Sequence, residues 1–224
     1  MKVTELWRYP VKTMAGEQLQ RARIGPLGVE GDRIVHVADA RGRVITSRSH
    51  PRFLGHHGSL AADGTVLVDG RPWDSRQVAA EVEEIGGAGA RLVRYDGAER
   101  FDVLPLLIAT DGAIAAFGHD RRRLRPNIVI GGVEGLGETE WPHACLRVGM
   151  VLIGIQDLRL RCIMTSFDPD TQVQDREITR DIYRRFAGKL ALNCFVIEGG
   201  ELGVGDEAKL VRGRACADSA AFTE

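Results

Sequence analysis

Short alternating runs of apolar and polar residues, punctuated by glycine, proline and aspartate, predict a string of brief strands. Residues 3–9 form one, closed by Pro10, and residues 19–24 another, ended by Gly25-Pro26. Residues 32–37 and 43–46 flank Asp39-Ala40-Arg41-Gly42, whose composition predicts a hairpin turn. Residues 65–68 run into a further turn at Asp69-Gly70. The period then changes: Val78, Val82 and Ile85 recur at helical spacing behind a possible N-cap at Ser75, and Gly86-Gly87 stops the helix. Beyond it, strands are predicted at 91–95, 104–109, 127–130, 146–148, 151–155, 158–162, 192–197 and 207–211. Helices are predicted at 111–117 and 175–186. Many short strands and few short helices indicate a mainly β (α+β) chain of barrel-like architecture. Residues 86–90 read as a short linker, dividing an N-terminal β segment at 1–86 from a β-barrel domain at 91–212. A frayed tail is expected at 213–224.

Composition narrows the function classes. The 224 residues are 44% hydrophobic and 27% charged, ordinary for a globular protein able to bury a core. A formal net charge of −1 provides no overall basic field for nucleic acid, so an anionic ligand would need a local cluster of cations. The opening residues carry regular charges and do not read as a signal or transit peptide, and no apolar run is long enough to span a membrane. A cytoplasmic location is the expectation, with no membrane or nucleic-acid partner. Cys145, Cys162, Cys194 and Cys216 lie far apart without a CxxC pair, which argues against a zinc ribbon or iron–sulfur cluster. In a reducing compartment they are expected to be free thiols.

Several tempting motifs fail on spacing. Gly131-Gly132-Val133-Glu134-Gly135-Leu136-Gly137 follows a strand, but the glycines do not match a dinucleotide fingerprint and no apolar helix follows. His56-His57 lacks a third metal ligand at useful spacing. Three segments instead place cations where the backbone is tight: Tyr9 to Thr13, with Lys12; Gly28 to Arg33, with glycines that allow close approach to a ligand; and Arg123 to Asn127. Lysine as a point charge, arginine as a bidentate fork and Thr or Asn as neutral donors suit a phosphate. Taken singly, each segment also reads as solvated charge at a strand end. Cys162 closes an apolar strand beside Arg161, and a neighbouring guanidinium favours the thiolate that binds soft metals.

The ordered set YPVK-T, G-x-x-GDR, Thr46-x-Arg48-x-x-Pro51, RLRPNIVI, LRCIMTSFDPDT and GGELGVGD resembles the MOSC family, over about residues 1–211. The likeness is to its subgroup with an N-terminal MOSC β-barrel segment, which includes mitochondrial amidoxime-reducing components. It implies a molybdenum cofactor (Mo-molybdopterin), with Cys162 as metal ligand and catalytic thiolate. It further implies cofactor contacts from Lys12, Thr13, Arg33, Arg125 and Asn127, to which Arg48 and Arg161 are added as supports. Asp168 is the nearest carboxylate after Cys162 and is read either as a proton relay or as a turn cap. Three positions depart from the family pattern: Thr110 is followed by Asp111-Gly112-Ala113, Leu160 replaces a small hydroxyl, and Gln172 stands where glycine usually ends DPDTG.

The activity implied is two-electron reduction of N-oxygenated (N-hydroxylated) compounds. Electrons would come from a separate redox protein, since nothing in the chain binds flavin or nicotinamide. The rival readings are a non-catalytic cofactor carrier, a sulfur-transfer domain for cofactor sulfuration, and a barrel that holds no cofactor.

Overall fold

The computed structural model describes residues 1–212 together with Cys216, so the tail expected at 213–224 otherwise lies outside the described residues. Among the described residues the chain is mostly β, with three α-helices. Its main element is an eight-stranded mixed sheet in the order Ala208–Val211, Cys145–Val148, Val151–Leu160, Lys189–Glu198, Leu106–Thr110, Ile128–Gly131, Lys2–Arg8, Glu17–Leu19. The Leu106–Thr110 and Ile128–Gly131 neighbours run parallel; the other pairs in this sheet are antiparallel.

The sheet curls toward closure without reaching it. An isolated bridge joins Lys2 to Glu207, and Val3 N donates to Asp206 O at 2.9 Å. Further along, Leu6, Trp7 and Arg8 are already paired with Glu17–Leu19, so only the first residues of Lys2–Arg8 are free for the opposite edge. Val3, Leu6, Ile108, Ile128, Ile130, Leu146, Ile153 and Leu192 fill the core of this sheet and are fully buried.

A second core belongs to earlier residues. Val11, Val35, Val37, Phe53, Val66, Val78 and Val82 pack between two three-stranded sheets and helix α1, Arg76–Gly86. One sheet joins Arg91–Arg94, Val35–Ala38 and Val44–Ile45; the other joins Gly58–Leu60, Val66–Val68 and Arg71–Pro72. Residues 91–94 thus share a sheet with the first 86 residues, while Lys2–Arg8 lies in the large sheet.

Local chemistry explains where the helices start and stop. Ser75 caps α1 through the Val78 amide, and Gly87 ends it at φ 91°. Thr110 caps α2, Asp111–Phe117, and Gly118 closes it in the left-handed region. Asp175 caps α3, Arg176–Phe186, whose Ile178 and Ile182 are buried one turn apart.

Three expected strands are redrawn. The run at 19–24 splits into Glu17–Leu19 and Arg21–Gly25, which pair in different sheets. Conversely, 151–155 and 158–162 fuse into the single strand Val151–Leu160, because register shifts absorb the break in alternation. That strand stops at Leu160, leaving Arg161-Cys162 beyond its end.

The cysteine expectation is corrected as well. Cys145 and Cys216 are joined by a disulfide, their Cα atoms 5.7 Å apart, whereas Cys162 and Cys194 are free. A separation of 71 residues hides this pairing in the sequence; the sheet edge brings the two together.

Candidate functional site

The cleft of interest lies where four backbone features meet: the exit of strand Lys2–Arg8, the loop after residue 45, the loop before strand Ile128–Gly131, and the end of strand Val151–Leu160. It encloses about 110 Å³, and Lys12, Thr13, Arg33, Arg48, Arg125, Arg161 and Cys162 all line it. Cys162 is the exposed free thiol and lies two residues beyond the strand end at Leu160. By contrast, burial pushes the Cys194 thiol up, which leaves it an inert core residue.

Three of these residues hold unusual backbone conformations. Thr13, Arg33 and Arg125 have φ of 87°, 53° and 55°, in the region that normally favours glycine. Such conformations cost on the order of 1–3 kcal/mol each and persist where surrounding structure enforces them. Hydrogen bonds do so here: Lys12 N donates to Val35 O at 2.7 Å, and Arg33 N to Tyr9 O at 2.8 Å.

The cations differ in how far they are satisfied. Asp102 receives Lys12 Nζ at 2.9 Å and Arg48 Nη2 at 3.0 Å. Arg33 donates to buried Asp32 at 2.6 Å, and Arg123 to Asp168 at 2.8 Å. Arg125 has no side-chain hydrogen bond among the described residues; its guanidinium lies 4.3 Å from the Tyr9 ring centroid. Burial pushes its pKa below the ordinary arginine value. Burial, aided by nearby Arg159, lowers Arg161 to about 10. Nη1 of Arg123 and Nε of Arg161 are buried without a hydrogen-bond partner among the described residues. Unsatisfied cationic donors are groups whose hydrogen bonds an anion can complete.

Two sequence-predicted residues are not in the cleft lining. Asn127 is fully buried, with Oδ1 accepting from Leu107 N at 3.1 Å and Nδ2 donating to Trp7 O at 3.4 Å. Its amide ties neighbouring strands together from outside the cleft lining. Asp168 Oδ1 accepts from Asp170 N at 3.1 Å and from Thr171 N at 2.9 Å, while Oδ2 holds Arg123. The Thr171 amide is the leading cause that keeps this carboxyl below the usual carboxylate range. Asp168 caps its turn, one of the two roles expected of it.

Thr13 lines the cleft, but its hydroxyl is engaged with the Ser47 hydroxyl and amide. The glycines of residues 28–33 are tight against protein rather than ligand: a Cβ on Gly28 would meet Pro105 O at 2.6 Å, and one on Gly31 would strike Leu60. His56 pairs with Asp69, and Arg71 occupies nearby Glu81 through two hydrogen bonds, so this cluster is an ion-pair network.

Sequence reasoning missed Asp102, Arg159 and Asn193, which also line the cleft. The signal for Arg159 was its position two residues before Arg161 near a strand end. No motif marked Asp102. A second cavity of about 320 Å³ adjoins the cleft, sharing Arg123, Arg125 and Met164 and adding Trp7, Tyr9 and Phe167. The Trp7 and Tyr9 rings are stacked, 6.5 Å apart.

Comparison with known proteins agrees with this architecture. The model of the MOSC N-terminal beta barrel domain matches residues 1–99, and that of the MOSC domain matches residues 112–209. The chain belongs to the MOSC family. That family is linked to molybdenum-cofactor binding. The human mitochondrial amidoxime-reducing component 1 is 26% identical, covering 93% of this chain and 82% of the human protein. The mitochondrial amidoxime reducing component 2 of Macaca fascicularis is 24% identical, covering 82% of this chain and 72% of its own. The YuaD protein of Bacillus subtilis shares the fold at a TM-score of 0.50 and 15% identity, covering 95% of this chain and 96% of its own.

The departures of this MOSC chain now have physical content. The Thr110 hydroxyl caps α2 and donates to Glu138 at 2.7 Å, so it is not free for a ligand. Gln172 has φ 57°, which explains why glycine suits that position. No helix among the described residues is long and apolar enough to cross a membrane.

Proposed function

We propose that this chain is a molybdenum-cofactor-dependent reductase of N-hydroxylated compounds, with Cys162 as the protein thiolate on the metal. The observation that carries the reading is an exposed free thiol at the end of a strand, in a cleft whose walls hold buried, unpartnered arginine donors. This donor set fits a phosphorylated pterin that carries a soft metal. Lys12, Arg33, Arg125 and Arg161 would hold the phosphate, and the adjoining cavity offers aromatic faces to a planar ring. When bound, the cofactor would supply two-electron reduction of the N–O bond.

The chain's own residues contribute position and charge. Arg125 is pre-set by its left-handed backbone and by Tyr9, whose hydroxyl donates to Pro126 O at 3.1 Å. Arg161 is anchored by Leu124 O at 2.8 Å, which ties the thiol-bearing segment to the Arg125 loop. Thr165 closes the turn after Cys162 through its carbonyl at 2.9 Å, fixing the backbone that presents the sulfur. Electrons would come from a separate redox protein. A carrier role differs in one respect: it binds cofactor without turnover.

The test is metal analysis and turnover of protein purified from a molybdenum-replete host, with reduced viologen as donor and benzamidoxime as substrate. Near-stoichiometric molybdenum and amidine formation are expected, and Cys162→Ser should abolish turnover. Arg125→Ala should lower cofactor occupancy more than turnover per bound metal. A serine variant that works at the parent rate would overturn the ligand assignment.

A further inference from the structure

The cations of the cleft outnumber what a cofactor phosphate needs. Lys12 and Arg48 share Asp102, Arg33 has Asp32, and Arg123 has Asp168. That leaves Arg125, Arg159 and Arg161 without a carboxylate partner among the described residues. A phosphate monoester carries roughly −1.5 to −2 charge near neutrality, enough for about two of the three. Arg125 and Arg161 are linked through one loop, since Arg161 binds the Leu124 carbonyl next to Arg125. Arg159 is held differently.

Its Nη1 donates to Asn193 Oδ1 at 3.3 Å, and Asn193 Nδ2 donates to Asp157 at 2.7 Å. The amide stands between the guanidinium and Asp157, so Arg159 is aimed without a direct carboxylate contact, with Asp102 as the nearest influential negative charge in the cleft. Its other donors make no hydrogen bond among the described residues, and burial lowers its pKa from the ordinary arginine value. Around it the cleft wall is apolar and open: Leu160 is 58% exposed and Val103 51% exposed, and both line the cleft with Cys162. Arg159 thus shares a solvent-open, partly apolar wall with the Cys162 thiol.

We propose that Arg159 binds an anionic group of the substrate, so that the preferred compounds are N-hydroxylated molecules carrying a carboxylate or similar anion. The inference rests on the reductase reading for the reaction itself: the N–O bond breaks, two electrons from the donor and two protons are consumed, and amidine and water leave. Arg159 acts in selection, and Asp157 and Asn193 are its positioning residues.

The experiment compares 4-carboxybenzamidoxime, benzamidoxime and 4-amidinobenzamidoxime, which present an anion, no charge and a cation. With the holoenzyme and reduced viologen, kcat/KM is expected to fall in that order. The anionic compound should lead the neutral one by about tenfold, mainly through KM, as one charge-assisted contact supplies. In Arg159→Gln the ratio should collapse toward one, while Arg159→Lys should retain part of it and Asn193→Ala should weaken it. Calorimetric titration of the holoenzyme with 4-carboxybenzamidoxime, without reductant, gives a readout free of turnover. Equal kcat/KM for all three compounds, or a preference that survives in Arg159→Gln, overturns the proposal. If no compound turns over but calorimetry keeps the charge order and its dependence on Arg159, the reductase reading fails and the anion site stands.

Discussion

Asp102 Oδ1 accepts from Lys12 Nζ at 2.9 Å, so a carboxylate of the chain itself occupies a cation of the proposed phosphate cradle. The same side chain reaches Arg48, and it is the carboxylate that lines the cleft. An incoming anion competes with it. Asp102→Asn is therefore expected to raise the affinity of cofactor-free protein for inorganic phosphate severalfold at low salt, measured by calorimetry. Added salt should shrink the gain.

The same pair predicts a pH dependence. Burial alone would raise the Asp102 carboxyl, but Lys12 and Arg48 more than offset this and hold it below the ordinary carboxylate value. A depressed folded-state pKa contributes stability above the unfolded value, which is lost as pH falls through the folded one. Wild-type protein should thus lose more stability than Asp102→Asn when pH drops from neutral to below about 4. Denaturant melts at several pH values measure it, and parallel losses would contradict the ion pair.

Gln172 at φ 57° carries backbone strain that glycine would relieve. Its amide also donates to Asp170 O at 2.7 Å, a bond that both Gln172→Gly and Gln172→Ala remove. The alanine variant keeps the strain, so the glycine variant should be more stable by about 1 kcal/mol. Thermal midpoints about 2–4 °C apart are expected for a chain of this size.

Asp168 caps its turn and holds Arg123, so Asp168→Asn should leave the shape of the pH–rate profile unchanged. Stability should fall instead, fully at neutral pH and progressively less on acidification, because the native pKa is depressed. Loss of a limb from the pH–rate profile would favour the relay role.

Asn127 is expected to matter for folding more than for the cofactor. Removing its buried amide in Asn127→Ala leaves Leu107 N and Trp7 O without their side-chain partner, at a cost of about 1–3 kcal/mol. Molybdenum per folded molecule should stay near the parent value, as metal analysis of the soluble fraction would show.

The elements best legible in the sequence were those with local causes. Helix α2 and the cap at Ser75 are written in neighbouring residues, as is the hairpin whose Asp39 carboxylate accepts from the Arg41 and Arg43 amides. Seven of the nine residues named from the motifs line one cleft, because the segments that carry them converge there. Asn127 and Asp168 also sit in motifs, yet their polar atoms are engaged in bonds invisible along the chain.

On its own, the order of residues determined the mainly β class, the helix boundaries and a family resemblance that domain matches over residues 1–99 and 112–209 bear out. Tertiary structure alone decided which cations are neutralised and which remain free. Asp102 stands 90 residues from Lys12 and 54 from Arg48, and Asn193 stands 34 from Arg159. Hydrogen bonds and charges act through space over a few ångströms, so a pairing between distant segments leaves no periodic trace in the chain.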